Sequence, residues 1–409
     1  MKKTFLLLMG VLCMLINSSG QFEESQLTGG EFEKVKAHLG ADFTMQYQIL
    51  NHHADSTLIP LGSGFNLPTA NLNVNADLAK GIRVKMTTYL SSRHHPEAWV
   101  KGGYLLIDEL PFIKSKGVDS VMDFLTLKVG DMEIDYGDAH YRRSDNGKAI
   151  TNSFVGNYIL DAFTTAIAAE LMFRSKGFLA MGAISSGSLK PALSGFNATS
   201  GEYTEYNTLE ELAFYWKLGF DKELLDDLRL RLTVSGYHCA EHHFGSLYNG
   251  DRAGSRYYLV MNRITTSAND VDITKNQTSG NWGPGFTNKD NSFMVNLFGK
   301  FKGLELFGTY EFLKGTTLAA ADVEFSQYAV EGLYRFGKRE QFYGGLRYNY
   351  VQNDADQSVT RLQIGAGWFI LESLVLKLEY IDQNYSEFVA SYGPDAGFDG
   401  VVLEAAVSF

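Results

Sequence analysis

The chain is short of the features that usually hold an exported protein together or carry it through a membrane. It has 2 cysteines in 409 residues, Cys13 and Cys239. Cys13 lies in an N-terminal apolar run expected to be removed, so Cys239 is left alone and no intramolecular disulfide can form. There are only 7 prolines, and Pro60, Pro68, Pro96, Pro111, Pro191, Pro284 and Pro394 all fall between segments that read as strands. Proline cannot donate to a hydrogen-bond ladder, so this confinement suits an all-strand chain and has no explanation in a helical one. Past the N-terminal run, no uninterrupted apolar stretch approaches the roughly 20 residues that a spanning helix needs. A membrane, if there is one, is crossed by strands. Basic residues are also in deficit. Losing Lys2 and Lys3 from the 36 basic residues leaves 34 against 47 acidic ones, a formal charge of −13. An acidic surface repels phosphates, so nucleic acid is excluded as a partner.

What the chain does have begins at residue 1. Lys2 and Lys3 precede an apolar run from Phe5 to Ile16, followed by Ser18, Ser19 and Gly20. A positive n-region, an h-region and a small-residue cleavage site read as a secretory signal peptide, residues 1–20, removed after Sec export. Gly10-Val11-Leu12 before Cys13 does not look like a lipoprotein box. Residues 21–32 would then be a short periplasmic segment, too short for the plug domain of an energised transporter, and 33–409 one β-barrel.

Alternation dominates the rest. Val35, Ala37, Leu39, Ala41, Phe43, Met45, Tyr47 and Ile49 alternate with Lys34, Lys36, His38, Gly40, Asp42, Thr44, Gln46 and Gln48. The same period of two sets Leu72, Val74 and Ala76 against Asn71, Asn73 and Asn75, and Ile82, Val84 and Met86 against Arg83 and Lys85. It sets Leu228, Leu230 and Leu232 against Arg229 and Arg231, and Leu374, Leu376 and Leu378 against Lys377 and Glu379. Successive side chains of a strand point to opposite faces, so each segment has one apolar and one polar side. The chain ends the same way: Val401, Leu403, Ala405, Val407 and Phe409 oppose Glu404 and Ser408. Apolar-out, polar-in strands rich in aromatics, with 28 Phe and 22 Tyr, are the pattern of a transmembrane antiparallel β-barrel. A terminal aromatic on the greasy face resembles the signal that the barrel-assembly machinery reads.

Seventeen segments read as strands, whereas a bacterial barrel has an even number with both termini on the periplasmic side. Long and tight connections alternate correctly up to residue 240 and again from 292. One reading between 241 and 291 therefore has to give. Dropping Arg256–Ile264 as a spanning strand leaves sixteen strands and one large external excursion, the favoured count; a second strand there would make eighteen. A barrel of this size leaves an aqueous channel, with lipid outside and small hydrophilic solutes inside. Lys36, Asp42, Arg83, Lys85, Arg229, Arg231, Arg347, Lys377 and Glu379 would line it, the bases serving either as an anion ladder or as rim and structural charges. On this view a lumen-facing Thr233→Lys is mild.

The third external loop, 135–158, combines Asp135, Asp138 and Asp145 with His140, Arg142, Arg143 and Lys148. Folded inward, such a mixture sets a transverse field and a constriction that governs selectivity; left outside, it is ordinary solvated charge. Leu125-Thr-Leu-Lys-Val-Gly130, then Tyr136-Gly137 and the charged loop, resembles the strand-then-constriction segment of the phosphate-selective porin family. Glu97-Ala-Trp-Val-Lys-Gly-Gly-Tyr104 resembles the strand before it. The resemblance implies a homotrimeric sixteen-stranded channel in the outer membrane of a Gram-negative bacterium, with an inward third loop and a basic ladder guiding anions. The acidic balance and the lack of a dense basic cluster depart from that family.

Catalysis and cofactors find no support. His238-Cys239-Ala-Glu241-His242-His243, His52-His53 and His94-His95 match no closed metal site and read as solvated loop histidines. Gly250-Asp-Arg-Ala-Gly-Ser is not a phosphate loop, and Ser185-Ser186-Gly187 is not a nucleophile elbow. The chain reads as a passive porin and not an enzyme; the alternative is a structural or secretion-associated barrel binding a partner through 241–291. If Phe409 is an assembly signal, deleting it lowers the membrane-inserted fraction more than it lowers the unfolding temperature of barrels that do insert. Equal losses in both measurements would refute that role.

Overall fold

A computed structural model describes residues 22–24, 26–27, 32–54, 58–91, 98–187, 194–197, 200–205, 212–240, 247–248, 256–264, 279–286, 289–317 and 322–409. The signal peptide, His94-His95, Glu241-His242-His243 and the 250–255 glycine segment lie outside these residues. The first eight wall strands are β1 (Lys36–His53), β2 (Thr69–Ala79), β3 (Ile82–Ser91), β4 (Ala98–Ile107), β5 (Leu125–Glu133), β6 (Thr165–Ser175), β7 (Phe178–Ser185) and β8 (Ala213–Leu225). The second eight are β9 (Leu228–Cys239), β10 (Asp290–Phe301), β11 (Leu304–Thr316), β12 (Asp322–Phe336), β13 (Phe342–Asn353), β14 (Ser358–Leu371), β15 (Leu374–Ser386) and β16 (Ala396–Ser408). Each pairs antiparallel with its sequence neighbours, and β16 pairs with β1, so the sheet closes into a sixteen-stranded barrel. Residues 256–264 form no spanning strand.

β1 makes the closure possible by serving two neighbours. Its first half pairs with β2, from Lys36↔Asp77 to Thr44↔Thr69, and its second half with β16, from Asp42↔Ser408 to His53↔Gly397. At the seam, Ala41 and Phe409 exchange backbone hydrogen bonds of 2.9 and 3.0 Å. Gly40 beside them has to lack a side chain, because a Cβ there would lie 2.6 Å from the Phe409 carbonyl oxygen. β1 runs on to His53, so His52 and His53 are strand residues and not loop residues as the sequence reading had them. The described prolines all lie outside the wall strands.

Connections at the end bearing both termini are mostly two-residue turns, such as 80–81, 176–177, 226–227 and 302–303. The exceptions are the five-residue turn 337–341 and 108–124, which holds the short helix α1 (Lys116–Met122), N-capped by Ser115. The opposite end carries the long connections. Outward side chains are apolar and exposed, as with Phe43, Met45, Leu230, Leu232, Leu376 and Leu403. Near the terminal end, Tyr334, Phe336, Phe342 and Trp368 stack in a row along the outer face. An apolar band with aromatic edges is what a lipid-embedded barrel presents.

The inner face departs from a water-filled tube. Leu50, Val351, Val359, Ile381, Phe398 and Val402 point inward, where water would leave them uncovered, and instead they form a buried core. Its other half is Val155, Ile159 and Leu160 from connection 134–164 and Tyr257, Val260, Met261 and Phe286 from connection 240–289. The expected large external excursion is therefore corrected: its described residues Arg256, Tyr257, Tyr258, Val260 and Met261 are buried within the barrel. The reason is hydrophobic, since apolar groups of wall and connection leave water together.

These placements set the cost of substitution. Leu230→Arg puts a charge on the lipid face at the third residue of β9, between the turn and the midplane, and should cost about 1–3 kcal/mol, short of the roughly 2–4 kcal/mol of a midplane site. Thr233→Lys, expected from sequence to be mild, should be at least as damaging, because Thr233 is 0% exposed and donates a 2.7 Å hydrogen bond to Asp138. Unfolding free energies in lipid vesicles compare the two; a near-neutral Thr233→Lys would contradict the packed interior.

Candidate functional site

Connection 134–164 starts where β5 ends and contains a single 3-10 turn, Ala139–Arg142. A segment with so little backbone pairing of its own needs partners for its N–H and C=O groups. Inward side chains of the wall supply them. Asn296 of β10 accepts from the Asp138 N–H at 2.8 Å, and Asn349 of β13 accepts from the Ile159 N–H at 2.7 Å. Glu379 of β15 accepts from the Val155 N–H at 2.7 Å and from the Tyr257 hydroxyl at 2.5 Å. In the other direction, Lys377 donates to the Ala149 carbonyl at 2.6 Å, Gln327 to that of Leu160 at 2.9 Å and Arg347 to that of Gly156 at 2.9 Å. Arg361 of β14 donates to the carbonyls of Asn157 and Gly280, tying the two connections to one strand.

The seven residues singled out on the connection separate into distinct anchorages instead of one ring. Asp138 takes two bonds from Arg231, at 2.7 and 2.8 Å, and lies 3.3 Å from Lys217. Burial alone would raise its carboxyl, but Arg231 and Lys217 outweigh that and hold it at about 2. Asp135 bonds Lys217 of β8 and sits 3.0 Å from His140. Arg142 reaches across to Glu331 at 2.6 Å and Glu305 at 3.6 Å, with its guanidinium over Phe307. Arg143 pairs with Asp161, and Asp145 with Lys101 of β4. Lys148 is the exposed one.

The nine residues expected to line a channel also divide. Arg347, Lys377 and Glu379 face inward but are covered by the connections; Lys377 bonds Glu404, which also takes Arg256 at 2.7 Å. They anchor the interior and do not face an open lumen, because a buried charge has to be matched by a partner. Asp42 and Lys85 border a cavity, Arg83 pairs with Asp77 and Lys36 is exposed at the terminal rim. Arg229 and Arg231 converge on Asp221. Sequence reading missed Lys101, Lys217, Glu305, Glu331, Arg361 and Glu404 as partners. Their signal was an inward parity shared with charges of opposite sign on adjacent strands, such as Glu331 beside Arg347.

On the side walled by β1 to β6 the interior is open. A polar cavity of about 690 Å³ there is bordered by Asp42, Asn73, Lys85, Lys101, Arg143 and Lys148. Three of its bases are matched, Lys85 to Glu24, Lys101 to Asp145 and Arg143 to Asp161, while Lys148 stays exposed. Among the described residues, no group of three or more His, Cys, Asp and Glu is arranged to hold a metal ion. His52 accepts from the Met261 N–H at 2.9 Å, and Cys239 is buried.

No protein-family model and no curated protein matches the chain in sequence. Solved structures do match in fold. The anion-selective porin from Comamonas acidovorans is 10% identical with a TM-score of 0.52, over 92% of this chain and 100% of that one. Pseudomonas putida OprB, in its high-pH structure, is 9% identical with a TM-score of 0.53, over 92% and 94%. A loop L8 deletion form of OmpT, an outer membrane protein of Vibrio cholerae, is 10% identical with a TM-score of 0.52, over 92% and 100%. At such identities the likeness is one of fold alone: a closed antiparallel β-barrel.

His140 supplies a pH test of the connection's seating. Its Nδ1 lies 2.5 Å from Glu133 and its Nε2 3.0 Å from Asp135. Burial would lower its basicity, but the two carboxylates raise it from 6.5 to about 9. A raised value means the imidazolium stabilises the folded form fully below 6.5 and that this contribution is lost as pH rises through about 9. Proteolytic nicking within 134–164 should accelerate across that window, and His140→Gln should flatten the profile. A wild-type profile already flat there would contradict the assignment.

Proposed function

We propose that the chain is an outer-membrane porin of a Gram-negative bacterium, a passive diffusion channel for small hydrophilic solutes or ions. The observation that carries this reading is the polar cavity inside a lipid-type barrel, bordered by connection 134–164 and its ion pairs. Apolar strands face outward, charged groups face inward, and the fold is that of porins. Export by the Sec route and insertion by the barrel-assembly machinery follow from the expected leader and from Phe409. A homotrimer fits as well, since one similar structure is described as a trimer form of OmpT.

The pairing of lining bases bears on selectivity. A phosphate-selective path calls for bases left uncompensated along the route, whereas Lys85, Lys101 and Arg143 each have a carboxylate partner. Paired charges leave a weak net field, so we favour modest ionic preference over a phosphate ladder. The constriction in this reading is the connection from Asp135 to Lys148, with Arg143 at the cavity and Arg142 fixed behind it.

Single-channel recording on refolded protein tests the proposal. Arg142→Ser with Arg143→Ser should shift the reversal potential toward cations, because two positive charges are removed: Asp161 loses its partner, and Glu331 and Glu305 keep only Arg347 and Arg335 with Lys300. Adding Asp161→Asn to Arg143→Ser should bring the potential back. An unchanged potential would remove the constriction from the reading, and no conductance from folded barrels would favour a structural or secretion-associated role.

A further inference from the structure

The segment carrying Phe22, Glu23, Glu24 and Leu27 crosses the terminal end of the lumen. At one side, Phe22 is 4% exposed and packs edge-on against Phe298 of β10 and Tyr141, with the Arg231 guanidinium 4.2 Å from its ring centre. Glu23 accepts from Arg231 at 2.8 Å and lies 3.5 Å from Lys217. At the other side, Glu24 is 3.0 Å from Lys85 of β3 and accepts from the Tyr104 hydroxyl of β4. The Leu27 N–H donates to Asp108, just past β4, at 2.8 Å. The two footings, β8 to β10 and β3 to β4, are well apart around the wall, so the segment runs as a chord and not along the rim.

Two further observations give the chord a meaning. Phe22 and Glu23 border both the 690 Å³ cavity and a second, more open one of about 700 Å³ bordered by residues 174–179 and 221–223 with Arg229 and Arg231. The segment is the partition between two hollows that its departure would join. It also enters no strand pairing, and the contacts that hold it are ion pairs, side-chain hydrogen bonds and ring packing. Such contacts break and re-form without disturbing the ladder of the wall.

We propose that this segment is a displaceable strap that closes the terminal-end mouth of the lumen, latched by Glu23 on Arg231 and Lys217 and by Glu24 on Lys85. The proposal rests on the porin reading for its physiological sense, but its geometry stands without it. Glu23→Gln with Glu24→Gln keeps the shape and removes the charge of both latches. It should raise mean single-channel conductance roughly twofold or more, since the narrowest cross-section limits flow. Conversely, Glu24→Cys with Lys85→Cys, in a Glu23→Gln and Cys239→Ser background, should conduct freely until a reducible thiol-reactive cross-linker ties the strap down, and again after reduction. Equal conductance with and without the cross-link would overturn the strap.

A labelling assay separates this from the channel reading itself. Thr87 borders the 690 Å³ cavity, so Thr87→Cys, again with Cys239→Ser, reports access without any current. A bulky hydrophilic maleimide should react with it about tenfold faster when Glu23 and Glu24 are both Gln, as expected when an exclusion step is removed. Faster labelling with no conductance in any variant would uphold the strap and defeat the porin reading. Equal labelling rates would defeat the strap.

Discussion

Charge taken out of water has to be matched, and this barrel is organised around that requirement. Glu331, Glu379 and Glu404 are 2%, 0% and 2% exposed, inside a closed wall. Each is met by bases, by backbone N–H groups or by a tyrosine hydroxyl from the connections. Removing one member of a buried pair costs about 3–5 kcal/mol, far more than a surface pair is worth. The connections are therefore held inside by a demand that the wall itself creates. Apolar packing adds to it, because Val351, Val359 and Ile381 leave water only when Val155 and Ile159 arrive.

This arrangement divides the interior by function. Around β10 to β16 the lumen is packed by two connections whose polar atoms are answered by wall side chains. Around β1 to β6 the wall carries shorter groups, Asn71, Asn73 and Thr87 among them, and leaves space. Buried ion pairs of this kind add little net stability but fix one geometry, since any other seating strands a charge. The open side thus inherits a defined shape from the filled side.

Much of the wall was legible in the sequence, because a strand's period of two reports its faces directly. Phe43, Leu230, Leu376 and Leu403 emerged on the outside as their parity required, and parity also removed Arg256–Ile264 as a strand. The filling was not legible, since alternation says which side chains face inward but not what meets them there. The charges at Arg347, Lys377 and Glu379 looked like those of a wet channel, although a dry interior accepts the same charges once they are paired. The inward apolar residues Val375, Ile381 and Val402, interleaved with those charges, were the available warning. Phe22, Glu23 and Glu24 gave no periodic signal at all, and their role depends on residues such as Arg231, 208 positions away.

Distance along the chain has one more consequence. Ile159 bonds Asn349, 190 positions later, and Val155 bonds Glu379, 224 positions later. The connection that fills the interior is therefore made long before the strands that receive it. Until β13 to β15 are in place, its apolar groups have no seat and its carbonyls no donors. Contacts this remote are slow to form and leave sticky surface exposed meanwhile. Filling the barrel and finishing its wall become a single late event, in which a half-built sheet gains little from stopping early.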